Sequence, residues 1–276
     1  MNKILDNCLF EKDKDRYKKV QEIALSFSKE YVGNNIPREH IFSIIETYCR
    51  RNGFNVHLFK IPIDDEEIWA VTTVKKGCIF VTVNTSLELN KQIFAAAHEL
   101  YHIYRYIAGD DEELISGSVL TANNANDIDV VMEEKEANAF AALILAPLKQ
   151  VEQQKKIADV DSDSLVRLVV LIIYFMDCFA LPYKAMVIKL YECNVLSKEE
   201  SEYLLTQESE VKEVICKSRG PSARWLKRTY DNNLNILKDM IEENTKNFYI
   251  TSERSDSDLN VLNSFLSSFP HAKNQE

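Results

Sequence analysis

Glycine and proline are scarce in this 276-residue sequence, six of each. So few chain breakers argue against a fold of tight hairpins and for long helices. The six cysteines (Cys8, Cys49, Cys78, Cys178, Cys193, Cys216) include no Cys-x-x-Cys pair. Scattered in this way they fit reduced, mostly buried thiols better than a disulfide framework. Residues Met1 to Phe10 carry Asn, Lys and Asp where a secretory leader needs an apolar run. The longest apolar run, Leu168 to Met176, is nine residues between Arg167 and Asp177, half of what a membrane span requires. Positive charge is also short: 33 Lys and Arg against 43 Asp and Glu, a net charge of −10. That balance disfavours nonspecific binding to nucleic acid or to an acidic membrane. The expectation is a cytoplasmic globular protein without membrane attachment or direct nucleic-acid binding. A local basic stretch (Lys217, Arg219, Arg224, Lys227, Arg228) reads as a solvated helix face.

Histidine is rarer still, five in all, yet two fall at metal-site spacing in His98-Glu99-Leu100-Tyr101-His102. A helical turn of about 3.6 residues puts His98 and His102 on one face, where both can grip one ion. Glu99 lies about 100° around the helix, placed to act as a general base on a water rather than as a ligand. The context is helical: Asn90 is a candidate N-cap, Ile93, Ala97, Leu100, Tyr104 and Ile107 form an apolar stripe, and Gly109 ends the run.

Around the motif the chain reads as predominantly helical α+β. Helices are predicted over 14–31 and 38–51, then short strands over 54–61, 68–74 and 78–83, which read as a small antiparallel meander. The motif helix (90–108) follows, then a polar segment, 109–129, long enough to be a lid over a substrate or partly disordered. A second helix runs over 130–145 and stops before Pro147. Helices are predicted over 147–157, 164–178, 182–193 and 198–217, with Pro182 at a first helical position and a capping box at Ser197-Lys198-Glu199-Glu200. Beyond Thr251 the Ser-, Asp- and Asn-rich tail reads as loosely held, with one short helix around Leu259–Leu266. This organisation divides into an N-terminal helix (1–35), a metal-bearing core (36–158), a helix-turn-helix-like subdomain (159–218) and a helical segment with a loose tail (219–276).

A catalytic zinc takes three protein ligands plus water, so one more residue is needed. His40, His57 and His271 fall in a leading helix, a strand and the tail, and read as structural or solvent-exposed. Glu133, Glu134 and Glu136, at the start of the second helix, are the better candidates. From Glu134 the same face carries Ala137, Asn138, Ala141 and Leu145, three of them small, which permits a close helix crossing. Glu133 and Glu136 share their faces with Phe140 and Ile144 or Leu143, and bulky side chains hold helices apart. Glu134 is therefore the expected third ligand. Asn138 is placed to hold a ligand histidine.

Three stretches together resemble the ImmA/IrrE family of zinc metallopeptidases: Ile79 to Asn84, Phe94 to His102, and Glu134-Lys135-Glu136-Ala137-Asn138-Ala139-Phe140-Ala141-Ala142, followed by Leu145-Ala146-Pro147. The similarity covers roughly residues 36–150, with 164–196 similar more loosely and nothing in 218–276. The resemblance implies a gluzincin-type fold holding one Zn2+ through His98, His102 and Glu134, with Glu99 catalytic. It also implies an intracellular, site-specific protease whose protein partner is a helix-turn-helix repressor, so that cleavage derepresses mobile-element, prophage or stress genes. Tyr101 departs from the family, which usually has Gly there; its ring is expected to flank the metal and to narrow the cleft or contact substrate. The strand near Cys78–Asn84 is expected to offer an edge to an extended substrate.

Two other readings compete. The helix pair 164–178 and 182–193 has the spacing of a DNA-binding helix-turn-helix, although the second helix offers only Lys184 and Lys189 as phosphate or base contacts. Alternatively, the chain is a non-catalytic, metal-stabilised interaction module.

Overall fold

A computed structural model describes residues 4–109, 115–117, 128–158, 165–218 and 220–269. The helices are α1 Leu9–Lys12, α2 Lys14–Phe27, α3 Ile41–Arg51, α4 Leu89–Ala108, α5 Ile128–Leu145, α6 Leu148–Ala158, α7 Leu165–Phe179, α8 Tyr183–Glu192, α9 Lys198–Leu204, α10 Glu208–Ser218, α11 Asn235–Lys246 and α12 Ser252–Ser268. Strands are β1 Asn55–Ile61, β2 Ala70–Lys75, β3 Cys78–Asn84 and β4 Ile115–Gly117. The chain is thus a predominantly helical α+β fold, as expected. No single helix among the described residues is long and apolar enough to cross a membrane.

The sheet is mixed rather than an antiparallel meander. Its order is β1-β3-β2-β4, with β1 parallel to β3 and the other pairs antiparallel. Lys76 and Gly77 both take positive φ, 52° and 75°, so β2 and β3 turn tightly on each other as a two-residue hairpin does. β1 cannot then join β2, because residues 62–69 carry the chain past β3 to its far side. Buried Asn84 stitches that crossing together. Its Oδ1 accepts from Ile63 N (3.0 Å), and its Nδ2 donates to the carbonyls of Asp65 (2.9 Å) and Ile68 (2.8 Å). With partners on both sides β3 is no edge, so the expected pairing of an extended substrate with Cys78–Asn84 does not hold.

One hydrophobic core runs from Leu5 to Trp225. Near the motif it is aromatic: Phe27 of α2 meets Tyr48 of α3 at 5.1 Å and Phe140 of α5 at 5.9 Å, and Tyr101 of α4 meets Phe140 at 5.3 Å between centroids. Each such pair adds about 0.5–1.5 kcal/mol beyond area burial, which holds the α4–α5 crossing in place.

Some local expectations fail for identifiable reasons. Asn90 is not the N-cap of α4: the helix starts at Leu89, and the Leu89 N–H donates to Lys227 O (2.9 Å). Asn90 is instead buried, and its amide has no hydrogen-bond partner among the described residues. Pro182 is the N-cap of α8, not its first helical residue. The predicted helix 198–217 is two helices, α9 and α10, while the capping box at Ser197 and Glu200 is present. The tail is more ordered than its composition suggests. α11 and α12 pair, and Leu234, Leu262 and Ile61 form a second small core. Most of the segment 109–129, read as a lid or a partly disordered stretch, lies outside the described residues; Ile115–Gly117 joins the sheet beside β2.

Candidate metal centre

α4 and α5 bring the expected side chains together. His98 and His102 are one turn apart on α4, both buried, with Nε2 atoms 3.2 Å apart. Glu134 reaches them from α5: Oε2 lies 3.1 Å from His98 Nε2 and Oε1 3.6 Å from His102 Nε2. One ligand atom from each of the three falls within 4.8 Å of the others. Ala137 and Ala141, fully buried on the same face of α5, leave the room that this approach needs. Glu99, next along α4, is also fully buried.

The outer nitrogens of the two imidazoles are already committed. Nδ1 of His98 lies 3.1 Å from Asn138 Oδ1, and Nδ1 of His102 lies 2.9 Å from Glu133 Oε1. Both partners are acceptors, so each Nδ1 carries the proton and donates it, leaving both Nε2 lone pairs inward. Two lone pairs and a carboxylate facing one another require a positive charge between them. Burial pushes the His102 imidazole down, yet the Glu133 hydrogen bond and the carboxylates of Glu99 and Glu134 outweigh it, and its pKa rises. The Glu133 carboxyl is held low, chiefly by that hydrogen bond from His102 and against its own burial. A proton satisfies only one Nε2, whereas a metal ion engages all three groups. The donor set therefore fits a metal ion held by His98, His102 and Glu134.

The neighbouring carboxylates have other partners. Glu133 sits between His102 and Arg105, whose Nη1 is 3.6 Å from Oε2. Glu136 accepts from the Tyr101 hydroxyl (2.8 Å) and from Arg16 Nη1 of α2 (3.1 Å). Tyr101 therefore does not narrow the cleft, as its position beside His98 suggested. Its ring packs on Phe140 and its hydroxyl is spent on Glu136, while burial, then the Glu136 charge, pushes the phenol pKa up and keeps it a donor. The pairing of Glu133 with His102 went unforeseen in the sequence. The available signal was Arg105, three residues after His102, which gives a carboxylate from α5 a cation to share.

The remaining histidines stay away: His40 is exposed in a 3-10 turn, and His57 stacks on Phe80 at 5.5 Å. His271 lies outside the described residues. α7 and α8 cross at 102°, an angle found in helix-turn-helix pairs. However, Lys189 is buried against Glu192 at 3.5 Å and Lys184 pairs with Glu208 at 3.1 Å. The two cations of α8 are thus engaged within the protein.

No curated protein matches the chain. The family model for peptidase M78, described as the IrrE N-terminal-like domain, matches residues 51–191, just over half of the chain. That stretch spans α4, α5 and the converging His98, His102 and Glu134, and with this match the chain belongs to the peptidase M78 family of metallopeptidases.

Proposed function

We propose that the protein is a zinc-dependent, site-specific metalloendopeptidase whose substrate is another protein, a helix-turn-helix transcriptional repressor. The observation that carries the hydrolytic reading is the convergence of two Nδ1-anchored imidazoles and the Glu134 carboxylate on one point. The repressor substrate is supported by the resemblance of the three motif stretches to ImmA/IrrE proteins.

Two nitrogens and a carboxylate suit zinc, which when bound lowers the pKa of water to about 7 and polarises a carbonyl. The chain's own residues do the rest. Asn138 and Glu133 hold His98 and His102 in the tautomer that turns Nε2 inward. Glu99 takes a proton from the attacking water at a carboxylate oxygen and delivers it to the leaving amine nitrogen as the peptide bond breaks. Burial of Glu99 shields that carboxylate from bulk solvent.

Glu99→Gln tests this directly. The variant is expected to bind zinc like the parent and to lose cleavage of a helix-turn-helix repressor, read by gel and mass spectrometry. Full cleavage by Glu99→Gln would rule the mechanism out. Zinc binding by the parent with every repressor left intact would favour the interaction module.

A further inference from the structure

The basic residues that follow α10 do not form one solvated face. Lys217 pairs with Glu213 and Arg228 with Glu66, whereas Arg224 and Lys227 line a cavity of about 970 Å3 together with Arg38 and Trp225. The cavity lies between α7, the end of α10 and the 3-10 segment Pro221–Leu226. Trp225, 3% exposed, organises the charges. Its Nε1 donates to Asp177 Oδ1 (3.1 Å), and the guanidinium carbons of Arg224 and Arg38 lie 4.9 and 6.0 Å from its ring. Arg38 is fixed a second time, because its Nε donates to Cys178 O (2.7 Å). Its backbone takes φ 45°, a costly conformation for a residue with a side chain and one that gathers at binding sites. Asp177, the carboxylate among the lining residues, is taken by Trp225, and Arg224 has Glu39 as a partner. Among the described residues, neither the terminal nitrogens of Arg38 nor the Lys227 ammonium pairs with a carboxylate. In a chain of net charge −10, three cations converging on one hollow call for an anion.

We infer that this cavity binds a small molecule carrying a phosphate or diphosphate group. Guanidinium forks held against an aromatic ring match phosphate oxygens pairwise, and their fixed geometry lowers the cost of ordering them. The size, near the upper limit for small-molecule sites, leaves room beyond a single phosphate. Duplex DNA is disfavoured because the cations converge in a hollow instead of spreading along a stripe. Arg38, Arg224 and Lys227 all lie outside the matched stretch 51–191, so the family domain does not supply these charges. The site also touches the metal-bearing helix. Lys227, whose ammonium faces the ligand, gives its carbonyl to the Leu89 N–H at the start of α4 (2.9 Å). Occupancy is therefore expected to slow hydrogen exchange of the Leu89 amide.

The test titrates the zinc-loaded full chain with pyrophosphate and with ADP by calorimetry at one ionic strength, with citrate as a carboxylate control. Saturable binding of pyrophosphate or ADP, about tenfold or more tighter than citrate, is expected. ADP binding tighter than pyrophosphate identifies a nucleotide, and ADP no tighter identifies the phosphate groups alone as what is read. Arg38→Gln and Lys227→Gln each remove one charge and are expected to weaken binding by about tenfold or more. Thermal midpoint and zinc content report that each variant is folded, and because Lys227 is exposed its variant carries the test if Arg38→Gln unfolds. No saturable binding, or citrate bound as tightly as pyrophosphate, would overturn the site. So would undiminished affinity in the folded variants, which puts the anion elsewhere, on the zinc included. Binding of a duplex DNA oligonucleotide that the same variants abolish, with pyrophosphate and ADP left unbound, would overturn the small ligand in favour of nucleic acid. Unchanged exchange at Leu89 on binding would overturn the link to α4.

Discussion

Replacing Glu133 and Glu134 one at a time separates a ligand from the residue that orients a ligand. Among the described residues of α5, Glu134 alone faces both Nε2 atoms, at 3.1 and 3.6 Å, while Glu133 reaches only the outer nitrogen of His102, at 2.9 Å. Glu133→Ala therefore leaves three donors in place and frees the His102 ring to rotate. Losing such an orienting partner weakens metal binding by about 10–100-fold, or about 1.4–2.8 kcal/mol. Glu133→Gln keeps an acceptor oxygen for the same N–H and is expected to recover most of that loss. Glu134→Ala removes one of three donors and leaves only the two imidazoles, so its loss should exceed the outer-residue range. Competition with a chromophoric chelator for zinc, run on parent and variants at one pH, gives the dissociation constants. Glu133→Ala weakening zinc as much as Glu134→Ala, or more, would refute the assignment, as would a Gln variant no better than the Ala variant.

Lys189 and Glu192, 1% and 4% exposed with 3.5 Å between charges, form a buried pair whose halves depend on each other. Glu192→Leu alone should cost about 3–5 kcal/mol by stranding the ammonium, a fall of about 6–20 °C in Tm by calorimetry. The double variant Lys189→Met/Glu192→Leu should regain most of it, and equal losses in both would contradict the pairing. Burial holds the Glu192 carboxyl above its ordinary 4.5, against the pull of Lys189 and Tyr17. An acid raised on folding binds its proton longer in the native state, so its contribution falls as pH rises from about 4.5 through the folded value. The double variant should lack that slope in urea midpoints measured across the window. Asn233→Ala removes the side chain that accepts from Lys60 N (2.7 Å) and donates to Leu58 O (2.9 Å) on the outer edge of β1. Its expected cost is about 1–3 kcal/mol with faster hydrogen exchange at Lys60, and an unchanged exchange rate would refute the edge-capping role.

Legibility of the fold tracks how local each determinant is. The motif helix was readable because the spacing of His98 and His102, the apolar stripe and Gly109 all lie within a few turns. Glu134 was separable from Glu133 and Glu136 because the small residues Ala137 and Ala141 mark which face of α5 can come close. The start of α4 was not readable, since its first N–H is satisfied by Lys227 O, far along the chain, and Asn90 offered a local substitute that the fold does not use. The parallel pairing of β1 with β3 was hidden for a similar reason: three short runs in succession look like a meander, and only the Asn84 network shows that the chain crosses over. Tyr101 was misread because its destination, Glu136, lies on another helix. α12 was underestimated because Ser, Asp and Asn dominate its composition, while Leu262 and Leu266, four residues apart, join the small core with Leu234 and Ile61.

Segments outside the matched stretch 51–191 brace the two helices that carry the metal cluster. On α5, Glu136 is held by Arg16 of α2 and in turn accepts from the Tyr101 hydroxyl of α4. On α4, the first turn is secured by Lys227 O and by Lys212, whose ammonium lies 3.0 Å from Glu88. The same N-terminal region contributes Ile4 and Leu9 to a cavity that Asn138 and Glu192 also line, and the Tyr17 hydroxyl donates to Glu192 (2.8 Å). The geometry of the cluster therefore depends on chain from both sides of the matched stretch, the N-terminal helix through Arg16 and the segment after α10 through Lys227.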